Sequence, residues 1–260
     1  MISIPWLNCA VKKTKDAWEK KTGAKVKIID TPYAALHEKV VTDFVTKAGM
    51  YDIIIHPSLW IGEFVMNDWL QDIGELGGVP AWDDVLPALQ RDVTWGGKIV
   101  TFPFDGDWHM LYYRKDALEN PRYKEEFKKK YGYYYHVPPL TWEEVRDIAE
   151  FFNGWDWDGD GETEYGIVFI AKRGTQAVWT LLDLVAQYNV VHARPSKGNY
   201  GSMFFDPETM DCLLDEPGAI YALEMLCELA KYGPPGLLGY GYSEMREAFV
   251  SGVAAMAIDW

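Results

Sequence analysis

Hydrophobic and polar positions follow two rhythms along the first third of the chain. Short apolar runs at residues 2–6, 26–29 and 51–56 read as strands, and the segments around them carry apolar residues at helical spacing. Residues 11–22 read as a helix that ends at Gly23, a left-handed stop preceded by Lys20 and Lys21. Residues 33–48 read as a helix with Leu36, Val40, Val41, Phe44 and Val45 on one face and Gly49 as its end. The run Ile53-Ile54-Ile55 has no polar alternation, which predicts a strand of a parallel sheet covered on both faces. Residues 58–69 read as helical again. This order predicts an α/β lobe with right-handed crossovers.

A second organisation begins near Gly96. Residues 98–104 read as extended, Asp105-Gly106-Asp107 as a polar turn, and 108–113 as a strand. A charged helix is expected around 123–131. Thr141-Trp142-Glu143-Glu144 predicts a capping box at the start of the next helix. Residues 165–170 and 253–258 read as strands, and 176–188, 217–232 and 243–251 as helices. The domain reading is a first lobe over 1–104, a second over 105–252 and a crossover strand over 253–260. A helix–strand unit followed only by Asp259 and Trp260 reads as a fold interrupted before it is complete.

Charge and composition narrow the function. The chain has 25 basic and 39 acidic residues, a net charge of −14. Such a surface repels phosphate backbones and anionic lipid, so neither nucleic acid nor a membrane surface is an expected partner. No apolar run approaches the ~18 residues that span a bilayer. Met1 leads straight into the strand at residues 2–6, so an exported protein with this start is expected to have a processed or re-engineered start. Cys9, Cys212 and Cys227 are too few for a disulfide framework; Cys227 reads as a small buried hydrophobe, and a Cys212–Cys227 bridge stays open. The chain holds 12 Trp, 16 Tyr and 11 Phe. Aromatic faces in such number suit either a large core or stacking on the C–H faces of sugars.

Three groups of residues could carry chemistry. In Asp156-Trp157-Asp158-Gly159-Asp160-Gly161-Glu162-Thr163-Glu164, carboxylates at positions 1, 3 and 5 with Gly at 6 suit a calcium loop. The backbone carbonyl of Glu162 would fall at position 7 and the Glu164 side chain at 9. Position 12 is Ile167 rather than a bidentate Glu, so this is no helix–loop–helix calcium hand, and a metal-free acidic turn is the alternative. Asp105 and Asp107 could accept hydrogen bonds from sugar hydroxyls or do acid–base work on a glycosidic bond. His56, Ser58 and Trp60 follow a buried strand at the edge where open α/β sheets bind ligands. The nucleophile-elbow, phosphate-loop, dinucleotide and HExxH motifs do not occur.

Five motifs in order resemble family 1 extracellular solute-binding proteins of ABC importers, the maltose-binding-protein-like sugar type. They are Trp18-Glu19-Lys20-Lys21-Thr22-Gly23-Ala24-Lys25-Val26; Tyr51-Asp52-Ile53-Ile54-Ile55; Gly97-Lys98-Ile99-Val100-Thr101-Phe102-Pro103 with Tyr112-Tyr113-Arg114-Lys115-Asp116; Thr141-Trp142-Glu143-Glu144-Val145; and Phe249-Val250-Ser251-Gly252-Val253-Ala254-Ala255-Met256. The resemblance implies a two-lobed α/β fold of the periplasmic-binding-protein type II class, incomplete at its C-terminus because members continue beyond this point. It implies a monomeric, non-enzymatic binding component, periplasmic or extracellular or lipid-anchored at the cell surface. That component would bind a sugar or oligosaccharide and deliver it to a membrane permease. Carried over residue by residue, ligand contacts would fall on His56, Ser58 and Trp60; on Asp105, Asp107 and Trp108; on Arg173, Thr175 and Gln176; and on Asp259 and Trp260. The acidic loop before Tyr165-Gly166 also has counterparts in several members; on its own spacing it would hold structural Ca²⁺ through Asp156, Asp158, Asp160, Glu162 and Glu164. A glycoside-acting enzyme with paired carboxylates is the rival reading, and a calcium-stabilised glycan-attachment module a third.

Overall fold

The computed structural model describes residues 1–4, 7–174, 176–192, 204–206 and 209–260. The chain divides into two units, Met1–Gly106 and Asp107–Trp260.

In the first unit, β1 (Ile2–Ser3) is followed by α1 (Asn8–Thr22), β2 (Ile29–Asp30) and α2 (Tyr33–Thr46). Gly23 closes α1 at φ 77° and its N–H donates to Glu19 O, as the basic last turn and glycine predict. The end of α2 departs from expectation. The left-handed cap is Lys47 at φ 53°, two residues before Gly49, which is itself at φ 63°. The buried Asp43 carboxylate then accepts from the N–H groups of Met50 and Tyr51 at 2.8 and 3.2 Å, turning the chain back to the sheet.

β1 pairs in parallel with β2, Ile2 opposite Ile29, and on its other side Ile2 bridges Ile54. The expected strand at 51–56 is therefore reduced to one bridge. Its two-faced burial fails at Ile53, which is 61% exposed. Among the described residues no strand pairs with its outer edge. The core beneath is Ile2, Ile4, Leu36, Val40, Trp60 and Phe64, with Phe44 and Trp69 packed against it. The single helix expected over 58–69 is a short 3-10 turn followed by α3 (Ile61–Met66). After α4 (Pro87–Asp92), β3 (Thr94–Trp95) and β4 (Lys98–Ile99) form a hairpin. Gly96 and Gly97, at φ 56° and 81°, supply the two positive-φ positions of its two-residue turn.

The second unit is built on β5 (Met110–Tyr113), β6 (Tyr165–Val168) and β7 (Ala254–Asp259), in the order β5-β7-β6. β7 is central and buried along its whole length. β7, which lies within the residues 253–260 expected as a crossover strand, is the middle strand of this sheet. β5 runs antiparallel to β7 with Met110 opposite Asp259, and β6 runs parallel with Val168 opposite Ala257. The start of β5 and the carboxyl ends of β6 and β7 therefore share one edge.

Helices α5 (Lys115–Leu118), α6 (Pro121–Tyr131), α7 (Trp142–Phe151), α8 (Ala177–His192), α9 (Pro217–Ala230) and α10 (Tyr242–Val250) accompany the sheet. Phe127, Ile148, Phe152, Ile167, Leu184, Leu229 and Met256 are fully buried in a shared core. At the start of α7 only half of the capping box forms. Thr141 Oγ1 accepts from the Glu144 N–H at 3.2 Å. The buried Glu144 carboxylate instead accepts from the N–H groups of His136 and Leu140, at 2.6 and 2.7 Å, and pins the incoming loop. The three cysteines are free and exposed, so the bridge between Cys212 and Cys227 is not formed and Cys227 is not a core residue. Among the described residues no helix is long and apolar enough to cross a membrane.

Candidate functional site

Aromatic and charged side chains gather at the shared edge of the second unit's sheet, where the chain leaves β7. Asp259 is 8% exposed, and its Oδ2 accepts from Arg246 Nε at 2.5 Å. The Arg246 guanidinium lies 4.1 Å from the ring centre of Tyr242, one helical turn earlier on α10. Tyr242 in turn leans on Trp260, with ring centres 6.2 Å apart. The Tyr112 hydroxyl donates to the Trp260 carbonyl at 2.8 Å and fixes the strand end.

On the other side of Trp260 stands His109, just before β5. Its ring meets the indole edge-on at 4.1 Å, and its Nδ1 lies 2.6 Å from Asp183 Oδ2 on α8. Burial pushes the Tyr242 hydroxyl up. Arg246 opposes that shift, while Asp259 and Asp107 add to it, which puts the Asp107 charge at this same edge. Trp108 is 61% exposed. An exposed indole can stack on a ligand, and carboxylates and a guanidinium can read its hydroxyls.

The loop after β6 reaches the same region through the backbone. The N–H groups of Ala171 and Lys172 both donate to Tyr240 O, at 3.1 and 3.0 Å, tying this loop to the lead-in of α10. Arg173 is exposed in the turn that follows, and Gln176 stands just before α8 with its carbonyl accepting from Trp179 N. Thr175 lies outside the described residues.

The expected positions of the first unit are arranged differently. His56 Nδ1 lies 2.8 Å from Pro57 O and its ring packs edge-on against Phe64; burial holds its pKa below the usual histidine range. Ser58 begins the 3-10 turn. Trp60 is a correction: it is 9% exposed, packed between His37 and Phe64, so it serves the core and offers no open stacking face. Asp105 caps its own turn, accepting from Gly106 N at 3.0 Å. Asp105 and Asp107, expected as a pair, belong to separate units.

The acidic loop lies between α7 and β6. One carboxylate oxygen from each of Asp156, Asp158, Asp160 and Glu164 falls within 4.8 Å of the others. The Glu162 side chain is not among them. Asp156 accepts from the N–H groups of Gly159 and Gly161, at 2.6 and 3.0 Å, which curls the loop around its own carboxylates. Glu164 is buried, and its pKa is raised first by burial and then by Asp158, Asp160 and Asp156; a hydrogen bond from Trp157 N opposes this. An open groove of ≈390 Å³ lined by Arg146, Asp147, Tyr221 and Glu228 shares no residue with the β7 edge.

An α/β unit that presents aromatic, cationic and anionic side chains at the carboxyl edge of its strands has the build of a small-molecule binding lobe. The chain belongs to the bacterial extracellular solute-binding protein family, whose profile matches residues 10–260. A probable ABC transporter-binding protein of Deinococcus radiodurans is 27% identical over 257 residues, covering 96% of this chain and 54% of that protein. Among solved structures, a solute-binding protein from Agrobacterium vitis S4 with bound D-mannitol is 26% identical with a TM-score of 0.65, covering 99% of this chain and 56% of that one. A solute-binding protein from Agrobacterium radiobacter K84 in complex with ribitol is 24% identical with a TM-score of 0.68, covering 100% and 58%. The fold is therefore the periplasmic-binding-protein type expected from the sequence. The chain spans about half the length of the curated relatives it matches.

Sequence reasoning missed His109, Asp183, Tyr242 and Arg246. Tyr242 and Arg246 sit four residues apart at the head of α10, a spacing that puts them on one helix face and was readable in advance. The pairing of His109 with Asp183 joins residues 74 apart and left no local signal.

Proposed function

We propose that this chain is the substrate-binding component of an ABC importer and that its ligand is a sugar or sugar alcohol. The observation that carries the reading is the β7 edge, where the Trp260 indole and the Tyr242 ring stand with the charged Asp107, Arg246 and Asp259. Family membership supports it, as do the bound polyols named for the related structures. Binding needs no covalent step: stacking, a few preset polar contacts and excluded water suffice. The ligand would pass to a membrane permease outside the cytoplasm, and the binding component would act as a monomer. The glycoside-acting alternative gains no support from these relatives. Calorimetric titration with D-mannitol, ribitol and maltose tests the reading: saturable binding of one or more is expected, and binding only of amino acids or inorganic anions would overturn it.

The acidic loop would hold structural Ca²⁺. Four carboxylates within 4.8 Å are hard oxygen donors of the kind this ion takes, and they repel one another without a cation. The raised pKa of Glu164 fixes the sign of the pH effect. A carboxyl whose folded pKa exceeds its unfolded value stabilises the fold below the unfolded value, and that contribution is lost as pH rises through the folded one. Calcium should reverse that loss. Thermal unfolding at neutral pH is expected to shift up with calcium relative to a chelator. The gain is about 2.7 kcal/mol at a free ion concentration one hundred times Kd, and it shrinks as the carboxylates protonate. Coincident melts with calcium and chelator at neutral pH would dismiss the ion.

A further inference from the structure

His109 has a feature that packing alone does not account for. Its side chain is 10% exposed, and its Nε2 is buried with no hydrogen-bond partner. The other ring nitrogen determines what this atom can do. Asp183 is the partner of Nδ1 at 2.6 Å, and an ionised carboxylate only accepts, so Nδ1 carries the proton. In the neutral ring Nε2 is then a bare lone pair, an acceptor and not a donor. An unmade hydrogen bond at a buried polar atom costs stability, so such atoms usually have a use.

The location suggests that use. His109 immediately precedes β5, whose first residue Met110 pairs with Asp259 at the carboxyl end of β7. Its ring braces the Trp260 indole edge-on at 4.1 Å. Asp259 on the same strand end also has one buried oxygen, Oδ1, without a partner, while its Oδ2 is taken by Arg246. With the ring neutral, His109 Nε2 and Asp259 Oδ1 are two unsatisfied acceptors, one on the ring that meets Trp260 and one on the residue before it, and no donor among the described residues answers either. A carboxylate or phosphate ligand would bring more lone pairs against them. A hydroxyl brings the hydrogen both require.

We propose that His109 is a ligand-contacting, specificity-determining residue of the β7 edge. Its Nε2 accepts a hydrogen bond from a hydroxyl of a neutral polyol or sugar, and Asp183 is the positioning residue that fixes the ring's tautomer. The proposal deepens the carbohydrate reading and rests on it. It adds a reason for selectivity: a bare acceptor favours hydroxyl groups and disfavours anionic analogues of the same shape.

The test combines nitrogen-15 NMR of the imidazole with calorimetric titration, using D-mannitol, ribitol and maltose as probes. In the ligand-free protein His109 should show a protonated Nδ1 and a bare Nε2, and the Nε2 resonance should move when the bound probe is added. His109→Phe keeps a ring against Trp260 but removes the acceptor, and should weaken binding by about ten- to a hundredfold. His109→Gln, whose amide oxygen can reach the same place, should recover part of that loss. Asp183→Asn should shift the tautomer and weaken binding with the Trp260 packing retained. Binding of His109→Phe within twofold of the parent, or a free-protein Nε2 that already carries the proton, would overturn the role of His109 while leaving the carbohydrate reading intact. If the Phe variant does not fold, an Nε2 resonance unmoved by saturating probe overturns it equally. Failure of the parent chain to bind any probe would defeat the carbohydrate reading and this proposal together.

Discussion

Replacing Gly166 by Ala is expected to destabilise the second unit by about 4 kcal/mol or more, one of the rare single-methyl changes with so large an effect. Gly166 lies in β6, and a Cβ built there would stand 1.9 Å from the Ala149 carbonyl oxygen and 2.5 Å from its Cα. Both are backbone atoms of α7, and α7 is itself anchored by the buried Glu144 carboxylate at its start, so neither side can yield cheaply. The Gly166 N–H also donates to Tyr232 O at 2.9 Å, which stops the strand from sliding away. Gly233→Ala is the natural comparison. Its Cβ would meet a Leu237 methyl at 2.6 Å and Ile167 O at 3.0 Å, and the side chain can rotate, so a smaller loss of roughly 1–3 kcal/mol is expected. Thermal unfolding of the two variants checks the ordering, with a drop of roughly 10 °C or more for Gly166→Ala. Equal melts would mean that α7 and β6 are not packed at this distance.

Trp260→Ala should carry the largest effect on binding, a loss of about thirty- to a hundredfold in ligand affinity. The indole is held from several directions: His109 edge-on, Tyr242 tilted, and its own carbonyl tied to the Tyr112 hydroxyl. Such bracing reduces the conformational entropy lost on binding and keeps the aromatic face available for stacking. Trp260→Phe should restore part of the affinity through the smaller ring. Titration of the three proteins with the tightest probe measures this. A Trp260→Ala affinity equal to the parent's would remove the indole from the ligand's contacts.

Local rules predicted the end of α1 and the N-cap of α7, because caps are local physics. Gly23 and Thr141 act as the neighbouring residues imply. Strands were harder to read. Residues 51–56 and 98–104 look extended in the sequence, yet a strand exists only where a neighbour supplies hydrogen bonds, and these segments keep one bridge and two ladder residues. Trp60 was misread for a related reason. An indole just past a strand can face ligand or core, and only the third dimension, here His37 and Phe64, decides which. Cys227 read as buried on the apolar character of α9, but the stretch is apolar on more than one face and Cys227 falls on the exposed side. At the β7 edge Asp259 and Trp260 were legible through the family resemblance, which implies ligand contacts at this point of the chain. Their partners Arg246 and His109 come from other elements and became visible only once the sheet was assembled.

The proposed function requires a hydroxyl-rich ligand held reversibly and unchanged at the end of β7. Isothermal titration with the three neutral probes, followed by recovery of the ligand from the complex, tests it most directly. The expected result is saturable binding of a sugar or sugar alcohol, weakened in Trp260→Ala and His109→Phe, with the ligand returned intact. Tight binding of an amino acid or anion instead, or recovery of a cleaved sugar, would contradict it.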